Sequence, residues 1–182
     1  MRDNMYLTYQ NITIRNASAE DANLLADWWN DGTVMAHAGF PKGLGTNPEK
    51  ITKELALDSD DTRRRLLLLW KEIPIGEMCF RCLPDHSVDI GIKICERRYQ
   101  ERGIGRIALS MLIQALFEKG HTKIVLDTNP KNTRAQHVYE KLGFRKLRVN
   151  IDSWRNQLGQ LESSVDYELT PDNFHNFAVY SS

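Results

Sequence analysis

Cysteine is scarce in this sequence, which limits the roles that sulfur can play. Three cysteines occur among 182 residues, an odd number that is too small for a disulfide framework. Cys79 and Cys82 form a Cys-x-x-Cys pair, but no second cysteine pair and no histidine pair at metal-ligand spacing accompanies it. Both lie in or beside a predicted strand. We therefore interpret them as structural residues and expect no bound metal, in a reducing cytoplasm.

Long apolar runs are also missing. The longest run, residues 66–70, has the length of a strand, whereas a membrane-spanning helix needs about 20 apolar residues. Residues 1–4 do not begin an apolar signal segment. We expect a cytoplasmic protein with no membrane partner. No repeat, low-complexity tract or linker interrupts the chain, which indicates a single domain over residues 1–182 with its core at about 11–170.

Net charge is absent overall, but the charges are unevenly distributed. Lysine plus arginine and aspartate plus glutamate both number 24. Residues 97–148 nevertheless contain twelve basic and four acidic residues. Such a basic segment suggests either a small polyanionic ligand or nucleic acid. Because the segment lacks interleaved aromatic residues and a recognised nucleic-acid module, we expect the ligand and no nucleic-acid partner.

Strand and helix patterns alternate along the chain. Seven segments are typical of strands, at residues 12–15, 64–70, 75–81, 88–94, 122–128, 144–150 and 164–169. Four are typical of helices, which begin near residues 19, 49, 104 and 133. The Gly- and Pro-rich residues 37–48 predict a long loop. Strands interleaved with helices indicate an α/β (α+β) sheet domain.

The predicted helices carry recognisable ends. Ser18 and Asp21 resemble a capping box before the first helix. The third helix has one apolar stripe, formed by Ile104, Ile107, Ala108, Met111, Leu112, Ala115 and Leu116. Gly120 and Gly143 stand where left-handed caps end the third and fourth helices.

A glycine turn connects the 88–94 strand to the third helix. Residues 100–106 read Gln-Glu-Arg-Gly-Ile-Gly-Arg. Glycine lets the backbone approach a ligand closely, and a helix N-terminus presents free N–H groups to an anion. Arg102 and Arg106 add positive charge. The Lys-Ser/Thr pair of a P-loop is missing, and the preceding hairpins differ from the βαβ unit of a dinucleotide-binding fold.

A second block follows at residues 129–144, with the pattern Asn-x-x-Asn-x-x-Ala-x-x-x-Tyr-x-x-x-Gly-Phe. Together with the Gln-x-x-Gly-x-Gly turn, it resembles the two sequence signatures of the GNAT superfamily of N-acetyltransferases, in the same order and at a similar separation. The predicted strand order resembles that family over residues 11–170. This resemblance implies a single central mixed, mostly antiparallel sheet flanked by helices, and acetyl-CoA as the co-substrate.

The resemblance also implies roles for individual residues. Cofactor binding would involve the backbone of Ile92 and Ile94, the turn residues Gln100, Arg102, Gly103, Ile104, Gly105 and Arg106, and the second-block residues Asn132 and Ala135. Tyr139 matches the tyrosine that faces the thioester sulfur and acts as the general acid, although it is also suited to packing in the core.

The base and the acceptor pocket are less well defined. Asp89 is a candidate general base, Glu77 is a weaker one, and ordered water is an alternative. We expect the acceptor amine near residues 28–44, with Trp28, Asp31, His37 and Glu77 as substrate-binding residues.

The resemblance leaves the acceptor itself open. It extends to enzymes that acetylate ribosomal-protein N-termini, spermidine or the 6′-amine of aminoglycosides, and it allows a homodimer. A non-catalytic sensor that binds acyl-CoA is the alternative function.

Overall fold

The computed structural model describes residues 4–178, so the first three and last four residues of the predicted domain lie outside the described residues. These residues form one sheet of eight strands in the order β1-β2-β3-β4-β5-β6-β8-β7. The strands are β1 Tyr6–Tyr9, β2 Ile12–Asn16, β3 Arg63–Trp70, β4 Ile73–Cys82, β5 Ser87–Ile94, β6 Lys123–Thr128, β7 Arg145–Arg155 and β8 Leu161–Leu169. Only β5 and β6 pair in parallel. The expectation of a mixed, mostly antiparallel sheet flanked by helices is confirmed.

All seven predicted strands are present, with two differences. Strand β1 was not predicted, because a four-residue strand carries too little alternation to detect. In it Leu7 is buried while Tyr6 and Thr8 are exposed. The last two strands are longer than predicted and form a hairpin that continues to Arg155 and resumes at Leu161. The far part of this hairpin is largely exposed, so no alternation of apolar and polar residues marked it.

Within residues 4–178, five helices flank the sheet: α1 Ala22–Asn30, α2 Gly32–Met35, α3 Pro48–Leu55, α4 Ile104–Glu118 and α5 Thr133–Leu142. The backbone N–H of Ser18 donates to the Asp21 carboxylate at 2.8 Å, as the capping prediction requires. A short 3₁₀ turn precedes α1. Helix α2 was not predicted. Its start is capped by the Asp31 carboxylate, which accepts a hydrogen bond from the Thr33 N–H at 2.8 Å.

Strand β3 explains the longest apolar run in the sequence. Leu66 and Leu68 belong to the core under α4, whereas Leu67 and Leu69 pack with α1 and α3 on the other side of the sheet. Successive side chains of a strand point to opposite faces, so a strand covered on both sides becomes apolar throughout. The sheet therefore has two hydrophobic layers that meet at β3.

Helix α4 is buried over a wider surface than the predicted stripe. Leu109, Ser110 and Ile113 are each at most 2% exposed, in addition to most of the stripe. The cause is the C-terminal segment, in which the Phe174 ring contacts Phe117 and the Phe177 N–H donates to the Ser110 hydroxyl. The one-stripe prediction was wrong because this cover comes from residues distant in sequence.

The cysteines occupy separate positions. Cys79 and Cys82 lie three residues apart on the regular strand β4, which directs their side chains to opposite faces. Their thiols therefore cannot bind one metal ion. Within residues 4–178 all three cysteines are free, and no cluster of three metal-binding side chains is present.

Helix α4, with 15 residues, is the longest described helix, and no helix within residues 4–178 has the length and apolar character of a membrane span.

We expect Gly143→Ala to destabilise the fold more than Gly120→Ala. Both glycines end a helix in the left-handed region, at φ 101° and 98°, where any Cβ costs about 1–2 kcal/mol. At Gly143 the added Cβ would also meet the Asn173 carbonyl oxygen at 1.8 Å, whereas nothing lies within 4 Å at Gly120. Urea denaturation of both variants measures the difference, and equal losses would contradict the close approach of residue 173.

Candidate active site

The sheet opens between its two parallel strands. Residues 87–89 of β5 pair with residues 123–125 of β6, and beyond these three pairs the two strands are no longer paired. Because β5 continues to Ile94 and β6 to Thr128, their carboxyl ends diverge around an opening. The carboxyl ends of parallel strands at such a break are a common place for ligands.

The free edge of β5 faces this opening. The Cys95 N–H donates to the Ile75 carbonyl, on the β4 side. Since alternate residues direct their backbone groups to opposite neighbours, those of Ile92 and Ile94 point toward the opening. The Ile94 carbonyl accepts a hydrogen bond from the Gln100 side-chain amide at 2.9 Å. The two predicted β5 positions thus lie on an unpaired strand edge.

The N-terminus of α4 borders the same opening. Gly103 precedes the helix and adopts the left-handed conformation. Its carbonyl accepts the first hydrogen bond of the helix, from the Ile107 N–H. The N–H groups of the first helical turn consequently have no acceptor within the helix. A Cβ at Gly105 would lie 3.9 Å from the Ile92 and Ile94 side chains, so the space beside this glycine is open. The turn is shaped to receive an anion.

Three arginines surround this helix terminus without being neutralised. The guanidinium carbons of Arg98 and Arg102 lie 5.0 and 5.9 Å from the centre of the Tyr99 ring, and that of Arg106 lies 4.5 Å from the Phe177 ring. None of the three forms an ion pair with a carboxylate in residues 4–178. Aromatic faces hold a cation while leaving its charge available. Arg98 was not predicted, although the Arg97-Arg98 pair directly before the turn was a usable signal.

The second motif, residues 129–144, begins opposite the glycine turn. The Asn132 side-chain oxygen accepts from the Ala135 N–H at 3.1 Å and caps α5. Ala135 is half-buried beside the main core. An ion pair between Glu101 and Arg134 connects the turn to the first residues of α5. The two motifs, about thirty residues apart in the chain, are thereby brought to one place.

Tyr139 lies on the buried side of α5. It is 8% exposed, and its ring contacts the rings of Phe144 and Tyr167 at 5.9 and 5.7 Å. Burial, reinforced by the negative charge of Asp127, raises the pKa of Tyr139 to about 12. No hydrogen bond engages its hydroxyl among the described residues. Tyr139 is therefore a protonated potential donor at neutral pH, and it also has the packing role that the sequence allowed.

Asp89 lies at the closed end of the opening. It faces Val125 in the last residue pair between β5 and β6, and its carboxylate binds Arg81 at 3.0 Å. Burial raises the pKa of Asp89, Arg81 opposes that rise, and Asp127 adds to it. Asp127, which has no cationic partner in an ion pair within the described residues, was not identified from the sequence.

Of the four predicted acceptor-binding residues, two pack inside the protein and two are exposed. Trp28 is 5% exposed, and its indole N–H donates to Glu96 at 3.1 Å. Glu77 accepts from the Trp29 indole at 2.8 Å and from the Lys93 ammonium at 3.2 Å. The polar groups of Trp28 and Glu77 thus have partners in or beside the hydrophobic layer formed by α1, α3 and β3.

Asp31 and His37 lie nearer the surface. The Asp31 carboxylate caps α2, while the exposed His37 follows that helix.

His37 borders a cleft of about 450 Å³. The other walls are the start of α5, from Asn129 to Arg134, and the β7–β8 hairpin, through Trp154 and Glu162. The Glu162 carboxylate accepts from the side-chain amides of Asn129 and Asn156, which are neutral partners. Trp154 and Glu162 were not predicted, because nothing in the sequence indicates that the hairpin folds back beside residue 37.

Known proteins resemble this chain in sequence and in fold. The family model described as "Acetyltransferase (GNAT) domain" matches residues 11–145. The ribosomal-protein-S5-alanine acetyltransferase of Vibrio fischeri superposes with a TM-score of 0.80 at 19% identity, covering 94% of this chain and 99% of that one. The spermidine N-acetyltransferase of Vibrio cholerae, solved with CoA and spermine, gives 0.77 at 18% identity, covering 90% and 97%.

A ribosomal L7/L12 alpha-N-protein acetyltransferase in complex with coenzyme A gives a TM-score of 0.81 at 16% identity, covering 93% of this chain and 99% of that one. At these identities the three structures show a shared fold. The family match, which covers most of the chain, carries the assignment: this protein belongs to the GNAT family of acetyltransferases.

Proposed function

We propose that the protein transfers an acetyl group from acetyl-CoA to a primary amine of a small molecule or a protein N-terminus. The amine attacks the donor directly while both are bound. The main support is the opening between β5 and β6, which combines an anion-binding helix terminus, three un-neutralised arginines and the protonated Tyr139.

The residues around the opening fit the donor. Phosphate groups suit the N–H groups of residues 103–106 and the guanidinium groups of Arg102 and Arg106, with Gln100 beside them. The pantetheine arm has amide groups that match the free backbone edge at Ile92 and Ile94. Asn132 retains its side-chain N–H₂ as a donor because its oxygen caps α5, and Ala135 is small enough to leave room for the arm.

The donor supplies an acetyl thioester as the electrophile. A lysine-like amine has a pKa of about 10.4, so a proton must be removed before the amine can attack. Asp89 is the preferred base, since its raised pKa brings it closer to working pH, although ordered water could serve instead. Glu77 is less suited because Lys93 and Trp29 already occupy its oxygens. Tyr139 holds the proton that the departing thiolate needs.

The acceptor would enter through the cleft beside His37. Glu162 offers a carboxylate held by neutral amides, and Trp154 offers an aromatic ring, which together suit a cationic amine. Lys131 and Arg134 also line the cleft, and the charge of Arg134 is paired with Glu101. Asp31 lies at the start of α2, close in sequence to His37. Trp28 and Glu77 would support the acceptor site indirectly, through their hydrogen bonds to Glu96 and Trp29 in the layer under α1.

We expect Gly105→Asp to abolish donor binding without unfolding the protein. An acid in the first turn of a helix is favourable to the helix, but here it would place a negative charge beside the donor's phosphates. Calorimetry should show acetyl-CoA affinity reduced by about a hundredfold or more. Gly105→Asn, which has the same size without the charge, should lose distinctly less. Unchanged affinity in the Asp variant would contradict the phosphate assignment.

We expect Tyr139→Phe to lower kcat by about a hundredfold, within the range of general acid–base contributions, while acetyl-CoA affinity stays the same. The wild-type rate should show no loss from Tyr139 ionisation up to about pH 10, since its pKa is about 12. Tyr167→Phe is the control, because this neighbouring tyrosine donates to Gln136 and Glu140 instead. Steady-state kinetics on the true acceptor decides, and a wild-type kcat in Tyr139→Phe would refute the acid role.

The function itself is tested by calorimetric titration with acetyl-CoA, followed by a thiol-release assay with aminoglycosides, polyamines and N-terminal peptides. Binding followed by release with one acceptor class is the expected result and identifies the substrate. Binding without release on any amine would favour a non-catalytic acyl-CoA sensor. The absence of binding would overturn the proposal.

A further inference from the structure

The last described residues of the chain form a strap across α4. We define this C-terminal strap as residues 174–178. It is anchored by the contact of Phe174 with Phe117 and by the hydrogen bond from the His175 N–H to the Leu142 carbonyl at 2.9 Å. Its path then follows α4 toward the helix N-terminus, where the anion site lies.

Two hydrogen bonds fix the direction of the strap along α4. The Asn176 amide donates to the Gln114 side chain at 2.8 Å, and the Phe177 N–H donates to the Ser110 hydroxyl at 3.1 Å. Ser110 is completely buried, so this bond gives the hydroxyl a partner. Each contact lies about one helical turn closer to the start of α4 than the one before it.

The strap ends on Arg106. The Phe177 ring lies 4.5 Å from the guanidinium carbon of Arg106, and Ala178 beyond it is 1% exposed. The Arg106 Nε atom is shielded from solvent and has no hydrogen-bond partner in the part of the chain that the structure describes. The guanidinium group is therefore held by an aromatic face and not by a carboxylate.

The choice of partner matters for an anion site. A carboxylate would fix the arginine but would cancel its charge and occupy its donors. A ring face restricts the guanidinium group while its terminal nitrogens remain available to a phosphate. Fixing a long side chain before binding reduces the entropy lost when the ligand arrives.

We propose that Phe177 is a positioning residue, which holds the Arg106 guanidinium group toward the phosphates of the acyl donor. This inference rests on the proposed function. It assigns the C-terminal strap a role in donor affinity and specificity for phosphate-bearing donors, in addition to covering α4.

The test compares two donors in Phe177→Leu, which removes the ring and keeps an apolar side chain. Acetyl-CoA should bind about three- to tenfold more weakly and show a raised KM with nearly unchanged kcat. Acetyl-pantetheine, which lacks the phosphates of the cofactor, should show the same kinetics in wild type and variant. Phe177→Trp should restore acetyl-CoA affinity, because tryptophan is the best cation-binding ring.

Two controls separate positioning from general stability. Phe174→Leu removes another ring of the strap, at Phe117, without touching Arg106, and should leave acetyl-CoA affinity unchanged. In an Arg106→Met background, Phe177→Leu should have no further effect on affinity. Equal losses in the Phe174 and Phe177 variants, or for both donors, would overturn the positioning role and leave the proposed function intact. Failure of the wild type to bind acetyl-CoA would overturn both.

Discussion

The short parallel pairing of β5 and β6 is the constraint on which the site depends. Only three residue pairs join these strands, yet both are anchored elsewhere, β5 by seven pairs with β4 and β6 by five pairs with β8. The sheet can therefore remain continuous while its centre opens. An unpaired edge inside a protein needs hydrogen-bond partners. Gln100 supplies one to Ile94, and a ligand with amide groups could supply others.

Charge follows the same geometry. The basic excess of residues 97–148 is partly paired in the structure, since Lys119, Arg134, Arg145 and Arg148 all bind carboxylates. The arginines at the α4 terminus instead rest on Tyr99 and Phe177. Positive charge is thus concentrated at the helix terminus, where the helix dipole has the same sign and an anion is attracted by both.

The two sides of the opening differ in chemistry. The α4 side presents glycine, backbone N–H groups and arginine. The far side, toward His37 and the β7–β8 hairpin, presents an aromatic ring and a carboxylate held by neutral amides. Tyr139 lies on the buried side of α5, where burial and the charge of Asp127 raise the pKa of its hydroxyl to about 12. A donor with phosphates and an acceptor with a cationic amine would be directed to opposite sides by these differences.

From the sequence alone we could predict the fold class, seven of the eight strands and the family, because these depend on local periodicity and on two short motifs. It also located the turn at residues 100–106 and the helix that begins at Thr133. The folded structure was needed to show that Trp28 is buried, that Trp154 and Glu162 lie beside His37, and that the Phe177 ring contacts Arg106. These contacts join segments that are far apart in sequence, and no local pattern encodes them. The wide burial of α4 was not predicted for the same reason, since the residues that cover it come from the C-terminal segment.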